Sequence, residues 1–226
     1  TWMLRIHTDP KQPAIAEEMF LVEDFVPDRT EFELTAAQDT VPVGSSVQVS
    51  LDGRYLYGAP AEGLKLQGQL TIGTKRDWAK FPGYVFGLED EDDAETVRVP
   101  LTGLPDTDAE GKATFDVFID SVPSTTRLLN ANVSVQMSEA GGRAVERSID
   151  IGIEPEGDMI GLKPEFSGGQ VAEGGTASFR VIAADASGSR IAMNGLKWSL
   201  YKIERNYQWY RSDGSWNYEP IDSTSL

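Results

Sequence analysis

The chain has no cysteine and a single histidine, His7. Without a thiol it can form no disulfide, zinc-thiolate site, cysteine nucleophile or internal thioester. A histidine that acts as a base or metal ligand needs partners, and no second His and no Cys supply them, so we assign His7 an incidental structural role. We therefore predict no catalytic residue, no bound metal and no cofactor. The lack of cysteine leaves the cellular compartment open.

Positive charge is also scarce, and long apolar runs are absent. Acidic residues number 36 and basic residues 20, a formal net charge of −16 that repels nucleic-acid phosphates and anionic lipid headgroups. No stretch approaches the roughly 18 apolar residues of a membrane helix, and no basic, apolar leader precedes Thr1. We expect a soluble chain, mature or excised from a longer one, that binds neither nucleic acid nor membrane directly.

What the sequence does contain is apolar alternation with a period of two. Such runs are typical of half-buried β-strands, and no 12-residue segment keeps the 3.6-residue period of a helix. The clearest runs are Val47, Val49 and Leu51; Val97, Val99 and Leu101; Ala113, Phe115, Val117 and Ile119; Leu129, Ala131, Val133, Val135 and Met137; and Val145, Ile149, Ile151 and Ile153. We predict an all-β chain of antiparallel β-sandwich domains.

The runs fall into three groups. About seven lie between Pro27 and Pro155, the strand number of one immunoglobulin-like or fibronectin-III-like sandwich, so we predict a complete domain over 27–155. Residues 1–26 resemble the closing strands of a preceding domain. Residues 156–226 have room for about four strands, with Trp198 on a core strand, and are predicted to form a following, incomplete domain.

Two segments could be calcium loops, and both have a simpler interpretation. The acidic run from Glu89 to Glu95 lacks the ligand spacing and glycine turn of a calcium loop, which favours a solvated, self-repelling loop. The stretch DTDAEGKATF begins at Asp106, and the twelfth residue counted from there is Val117. An EF-hand loop requires a glutamate at that position. We therefore predict a β-turn in which Gly111 has a positive φ.

Aromatic residues near the C-terminus suggest an interaction surface. In YQWYRSDGSWNYEP an Asp213-Gly214 turn would pair Trp209 with Tyr218 and Arg211 with Trp216 on one face of a hairpin. These four residues could stack on a sugar ring or on a partner's side chain. Packing against the rest of the same sandwich or against a neighbouring domain is the alternative that we favour.

Several stretches resemble the bacterial alpha-2-macroglobulin family. They are FLVEDFVPDRTEFEL, GRYLYGAPAEGLKLQG, DTDAEGKATFDVFI and LKWSLYKIERNYQWYRSDGSWNYE, and together they span nearly all of the chain. The second stretch contains a strand end at residues 54–57, a turn at Gly58 to Pro60 and a return strand from Leu64. It identifies the family, and nothing in the sequence indicates that Tyr55 or Tyr57 binds a ligand.

The resemblance implies consecutive macroglobulin-like domains from a large inhibitor that traps endopeptidases after a bait segment is cut. It implies that a Cys-Gln thioester, where present, lies on another domain. It also implies that the parent protein is periplasmic or extracellular. Whether a lipid anchors the parent to the inner membrane is an open question at this point. The partners would be other domains of the parent chain and, through the parent, proteases.

Three readings of function follow from these observations. The first is a non-enzymatic inhibitor scaffold in which Phe25, Val26 and Pro27 form a joint between two domains. The second is a carbohydrate-binding or adhesive module that uses Trp209 and Trp216. The third is an enzyme. We find no set of catalytic residues for it, because the many carboxylates have no polar partner at a definable spacing and are therefore interpreted as surface charge.

Overall fold

The computed structural model describes residues 1–9, 11–21, 28–89, 91, 95–139, 141–212 and 215–225, with the backbone alone described over 203–225. Its strands are β1 (Trp2–Ile6), β2 (Ala16–Phe20), β3 (Thr30–Ala36), β4 (Thr40–Val41), β5 (Ser46–Tyr55), β6 (Lys65–Lys75), β7 (Val85–Phe86), β8 (Val97–Leu101), β9 (Lys112–Phe118), β10 (Leu128–Ser138), β11 (Val145–Ile153), β12 (Met159–Pro164), β13 (Phe179–Ala184), β14 (Arg190–Ile191), β15 (Lys202–Ser212) and β16 (Ser215–Ser225). The prediction of an all-β fold is confirmed.

The main body is a two-layer sandwich. One layer is a five-stranded sheet in the order β4-β11-β10-β6-β8, and the other is a three-stranded sheet in the order β3-β5-β9. The pairings are antiparallel except for the short contact of β11 with β4. Seven of the sandwich strands have five residues or more, which agrees with the strand number expected from the alternating runs.

The core lies between the two layers. Successive side chains of a strand point to opposite faces, so each alternating run sends its apolar members inward. Val49, Leu51 and Val117 of the smaller sheet meet Leu70 and Val133 of the larger one, and all five are buried. Burial of each such side chain contributes about 1.5–3 kcal/mol to folding. The edge strand β8 is less covered, and Val99 is exposed.

A second sheet follows the sandwich, and its strands β12 and β13 lie in the same compact unit, residues 1–190. Its strand order is β14-β13-β12-β7, so the two-residue strand β7, which comes from the long connection between β6 and β8, lies at its edge. Strands β1 and β2 form a separate two-stranded sheet whose large apolar side chains are exposed. The first compact unit therefore joins parts that are far apart in sequence.

Residues 191–226 form the second compact unit. Within it β15 and β16 pair in the predicted register, Trp209 with Tyr218 and Arg211 with Trp216, although the turn residues Asp213 and Gly214 lie outside the described part of the chain. The prediction for Trp198 is wrong, because it lies outside any strand and is 86% exposed. An alternating pattern yields a core strand only where a second layer covers its apolar face, and no described layer covers Trp198.

The turn before β9 is confirmed as predicted. Gly111 has a φ of 78°, and its amide donates to the carbonyl oxygen of Asp108 at 2.9 Å. Oδ1 of Asp108 accepts from the backbone amides of Glu110 and Lys112 at 3.0 and 2.7 Å. The Asp108 carboxylate therefore stabilises the turn itself.

We predict that Gly111→Ala destabilises the fold far more than Gly103→Ala. A Cβ at residue 111 would overlap the carbonyl oxygen of Gly53, whereas a Cβ at Gly103, which has a similar φ of 72°, would meet no atom within 4 Å. The control therefore carries only the strain of the left-handed backbone, about 1–2 kcal/mol. Urea unfolding should show a further loss of at least about 2 kcal/mol for the first variant. Equal losses would contradict this account of the turn.

Candidate functional site

The site residues predicted from sequence lie where the structure gives little detail. Phe25, Val26 and Pro27, the proposed joint, are outside the described residues. Trp209, Arg211, Trp216 and Tyr218 have a described backbone, and their side chains lie outside the description. Their use as a joint and as an interaction surface stays a prediction.

The structure instead brings together residues 76–88 and the strands β12 and β13. Strand β7 pairs antiparallel with β12, Phe86 opposite Gly161 and Val85 opposite Leu162. The amide of Phe86 also donates to the carbonyl oxygen of Arg76 at 2.8 Å. Strand β7 is therefore hydrogen-bonded both to β12 and to the residue that follows β6. A strand from the sandwich connection thus completes the edge of the later sheet. We name residues 76–88 with β12 and β13 the aromatic junction.

Three aromatic rings fill the centre of this junction. Trp78 meets the edges of Phe81 and Phe86 at centroid distances of 5.3 and 5.4 Å, and the two phenylalanines lie 6.0 Å apart. Edge-to-face pairs of this kind stabilise by about 0.5–1.5 kcal/mol beyond their buried area. Phe86 is fully buried, with Ala184 in the same apolar cluster.

Gly161 is required opposite the Phe86 ring. A Cβ there would lie 2.6 Å from Cζ of Phe86 and 3.1 Å from a side-chain carbon of Ile182. Such contacts are far inside van der Waals distance, so the ring occupies the space that any other residue would need. The close packing of the Phe86 ring on the Gly161 backbone therefore determines the position of β7 against β12.

Cationic side chains surround the rings. Lys163 lies 5.6 Å from the centre of the Tyr84 ring and donates to the carbonyl oxygen of Pro82 at 3.2 Å. Arg190 lies 5.7 Å from the centre of the Phe81 ring, and Lys80 donates to the carbonyl oxygen of Ser187 at 2.6 Å. Cation–π contacts at partly exposed sites are worth about 0.5–1 kcal/mol each. The junction is thus apolar at its centre and polar at its rim.

The connection is also held on the side that follows β7. Arg127 donates to the carbonyl oxygens of Leu88, Glu89 and Glu91, each at 2.9 Å. Glu91 in turn accepts from the amide of Thr126 at 2.8 Å, and its carboxylate lies 3.7 Å from Nε of Arg127. These bonds, the Thr126 amide foremost, hold the pKa of the Glu91 carboxyl below its ordinary value.

The prediction of a solvated, self-repelling acidic loop is therefore wrong for Glu91. Its side chain is only 20% exposed and that of Arg127 only 10% exposed. The Glu91 carboxylate accepts hydrogen bonds from Thr125 and Thr126 and lies beside Arg127. Residues 90 and 92–94 of the same run lie outside the described residues.

Polar groups close to the junction bind one another. A cavity of about 300 Å³ lies between the end of the five-stranded sheet and residues 78–80. Beside it Lys75 donates to Asn130 at 3.2 Å, and Asn130 donates to Asp150 at 2.9 Å. In the described part of the chain no group of three or more His, Cys, Asp or Glu residues could hold a metal ion. The described geometry supports domain packing and gives no basis for assigning a reaction on a separate substrate.

Comparison with known families identifies the two parts that this junction connects. Residues 28–155 match the family model described as the bacterial alpha-2-macroglobulin MG5 domain, and residues 161–226 match bacterial macroglobulin domain 6. The chain belongs to the bacterial alpha-2-macroglobulin family. Strand β7 lies in the first matched range, and its partners Gly161 and Leu162, like β13, lie in the second. The aromatic junction therefore joins two consecutive macroglobulin domains.

Individual alpha-2-macroglobulins agree with this assignment. The chain is 31% identical to one from Escherichia coli and 29% identical to one from Xylella fastidiosa, over 95% and 96% of its length. It spans only 14% and 13% of those proteins. Solved structures of Salmonella alpha-2-macroglobulin, reacted with methylamine, and of E. coli alpha-2-macroglobulin, activated by porcine elastase, match at TM-scores of 0.66 and 0.65. These matches have 28% and 32% identity and cover 99% and 100% of this chain, but 15% and 20% of the structures.

The sequence analysis missed the aromatic junction. Its signal is the stretch RDWAKFPGYVFG, residues 76–87, in which four aromatic residues crowd around a Pro-Gly turn without a period of two. A two-residue strand leaves no periodicity to detect. Aromatic density in a predicted connection was the available clue.

We predict that Phe86→Ala opens the junction and that Val85→Ala does not. Removal of a fully buried phenylalanine costs about 3–5 kcal/mol, whereas Val85 lies on the other side of the strand and is exposed. Hydrogen exchange should show faster exchange of the β12 and β13 amides in the first variant, with the β10 amides less affected. If both variants left the exchange of β12 unchanged, the junction would not hold these strands.

Proposed function

We propose that the chain is a non-catalytic scaffold segment of a bacterial alpha-2-macroglobulin-like, broad-spectrum endopeptidase inhibitor. In this proposal the parent protein traps a protease after the protease cuts a bait segment. The observation that carries the proposal is the aromatic junction, in which Phe86 of one macroglobulin domain is buried against Gly161 of the next. A scaffold needs such contacts, because only domains held at fixed angles transmit a rearrangement.

The junction gives this role a physical mechanism. Residues 159–190 cluster with the sandwich as one compact unit, so the two domains share a packed interface in addition to the covalent link. When a cleavage elsewhere releases a constraint, a unit of this kind moves as a rigid body, and the change occurs at weaker joints on either side. Phe25, Val26 and Pro27 are our candidates for one such joint.

The remaining parts of the proposal concern the parent. The solved E. coli structures are described as activated by porcine elastase and by trypsin, which supports endopeptidases as the partners of the parent of this chain. The chain has no cysteine, so a Cys-Gln thioester would lie on another domain. A periplasmic or extracellular location belongs to the same proposal. The domain limits 27–155 and 156–226 are supported by the matched ranges 28–155 and 161–226.

The test compares the isolated chain with its parent protein. We expect the isolated chain neither to inhibit elastase or trypsin nor to hydrolyse their substrates. The parent should block digestion of a large protein substrate while a small chromogenic peptide is still cleaved, because a trapped protease remains accessible to small molecules. Phe86→Ala in the parent should weaken this protection, and Val85→Ala should leave it intact.

Two results would count against the scaffold proposal. Inhibition by the isolated chain would place an inhibitory site within these residues. Full protection by the parent carrying Phe86→Ala, with the junction shown to be open by hydrogen exchange, would show that the contact is not needed for trapping.

A further inference from the structure

A lysine, an asparagine and an aspartate meet on the outer face of the five-stranded sheet. Nζ of Lys75, the last residue of β6, donates to Oδ1 of Asn130 on β10 at 3.2 Å. Nδ2 of Asn130 donates in turn to Oδ1 of Asp150 on β11 at 2.9 Å. The neighbouring residues Ala131 and Ile151 are fully buried in the core, so the three polar side chains point away from it. We name Lys75, Asn130 and Asp150 the cross-strand triad.

The strand register brings the triad together. Asn130 lies directly opposite Gly73 on β6 and Gly152 on β11. Neither glycine has a side chain, so the space beside Asn130 is left to side chains from diagonal positions, two residues along each strand. Lys75 and Asp150 occupy those positions. Lys75 and Asn130 are half-buried, whereas Asp150 is exposed.

The hydrogen bonds determine the orientation of the Asn130 amide. A lysine ammonium only donates and an ionised carboxylate only accepts, so the amide oxygen faces Lys75 and the amide nitrogen faces Asp150. Nδ2 of Asn132 donates to the same oxygen of Asp150 at 2.8 Å. Two amide groups therefore hold the Asp150 carboxylate beside the Asn130 nitrogen.

The triad contains the groups that an amide-exchange reaction requires. The free amine of a lysine is a nucleophile, and it can attack the carbon of a carboxamide. A carboxylate that is hydrogen-bonded to the leaving nitrogen can transfer protons in the transition state. Well-oriented groups within one molecule react as if present at about 10⁵–10⁸ M. The exposed position of Asp150 also gives the released small molecule a path to solvent.

We propose that Lys75 and Asn130 form an intramolecular isopeptide bond. Lys75 first loses a proton to solvent, and its amine attacks Cγ of Asn130, so that a C–N bond forms and an electron pair of the C=O bond moves to Oδ1. Asp150 takes a proton from the attacking nitrogen and passes it to Nδ2. The Cγ–Nδ2 bond then breaks, the C=O bond re-forms and ammonia leaves. Asp150 ends as a carboxylate again, and no oxidant, reductant or other co-reactant is consumed.

The bond would join β6 to β10, two inner strands of the sheet, in a chain that has no disulfide. Lys75 is followed directly by Arg76, the first residue of the aromatic junction. The crosslink would therefore anchor the strand from which the junction starts. No separate substrate is turned over, so the proposed scaffold role is unaffected. The inference holds whether or not the parent protein traps proteases.

The mass of the purified chain tests the proposal directly. We expect an intact mass that is lower than the sequence mass by one ammonia, and a proteolytic digest in which the peptides containing Lys75 and Asn130 are joined. Lys75→Arg should restore the full mass, because a guanidinium keeps the hydrogen bond and cannot lose its proton to become a nucleophile. Asn130→Ala should restore it as well. Lys65→Arg, at the other end of β6, is the matched control and should keep the loss.

The digest separates the crosslink from ammonia loss at another site. Asn194 precedes Gly195, and an Asn-Gly sequence can release ammonia by forming a succinimide. A succinimide joins no peptides, and its mass loss would persist in Lys75→Arg. A mass loss that this variant leaves unchanged would overturn the proposal.

Asp150→Asn tests the proton transfer. We expect it to slow crosslink formation roughly 100-fold, the lower end of the usual contribution of general acid–base catalysis, while circular dichroism shows unchanged β structure. A crosslink that forms equally fast in this variant would overturn the role of Asp150. An unmodified mass with separate peptides, after prolonged incubation of both the purified chain and its parent protein, would overturn the isopeptide bond itself.

Discussion

The ring of Phe86 fills a space that exists only because residue 161 has no side chain. The contact between the later sheet and the sandwich connection depends on this fit. Strand β7 reaches the edge of β12 only if the ring enters, and β12 supports β13, which in turn pairs with β14. The two hydrogen-bonded residues of β7 would be a weak contact alone, since short isolated strand pairs are marginal in water. Ring packing is what makes the contact a structural joint.

The fit is supported from both sides of β7. Before the strand, Trp78 packs edge-to-face against the Phe86 ring and Phe81 packs against it at a tilt of 45°. After it, Arg127 fixes three carbonyl groups of the next segment and is paired with Glu91. The connection between β6 and β8 therefore belongs as much to the following macroglobulin domain as to its own. This sharing of a segment suits a protein whose proposed task is to keep domains at defined angles.

The sandwich could be predicted from sequence because its strands are long and half-buried. The run from Ala131 to Met137 alternates cleanly, and every inward residue proved to be buried. The Asp108 turn could be predicted for a similar reason, since local hydrogen bonds and one glycine determine it. Strand pairing in the C-terminal hairpin also followed from local sequence.

The rest depends on contacts between residues distant in sequence. Phe86 and Gly161 are 75 positions apart, and neither residue alone indicates a partner. Glu91 has the sequence context of a solvated loop and becomes anchored only because Thr126 and Arg127 lie beside it. Trp198 is the opposite case. Its local alternating pattern predicted a buried side chain, but in the described part of the chain no second layer covers it.

The aromatic junction holds β12 and β13, the part of the second macroglobulin domain that lies in the first compact unit, rigidly against the sandwich of the first domain. Because the chain has no cysteine, spin labels can be attached at two introduced cysteines alone, Asp116→Cys on β9 and Val181→Cys on β13, both at exposed positions. Double electron–electron resonance should give a single narrow distance distribution that broadens when Phe86→Ala is added. A broad distribution with Phe86 in place would contradict this, because it would show that β12 and β13 move independently of the sandwich despite the junction.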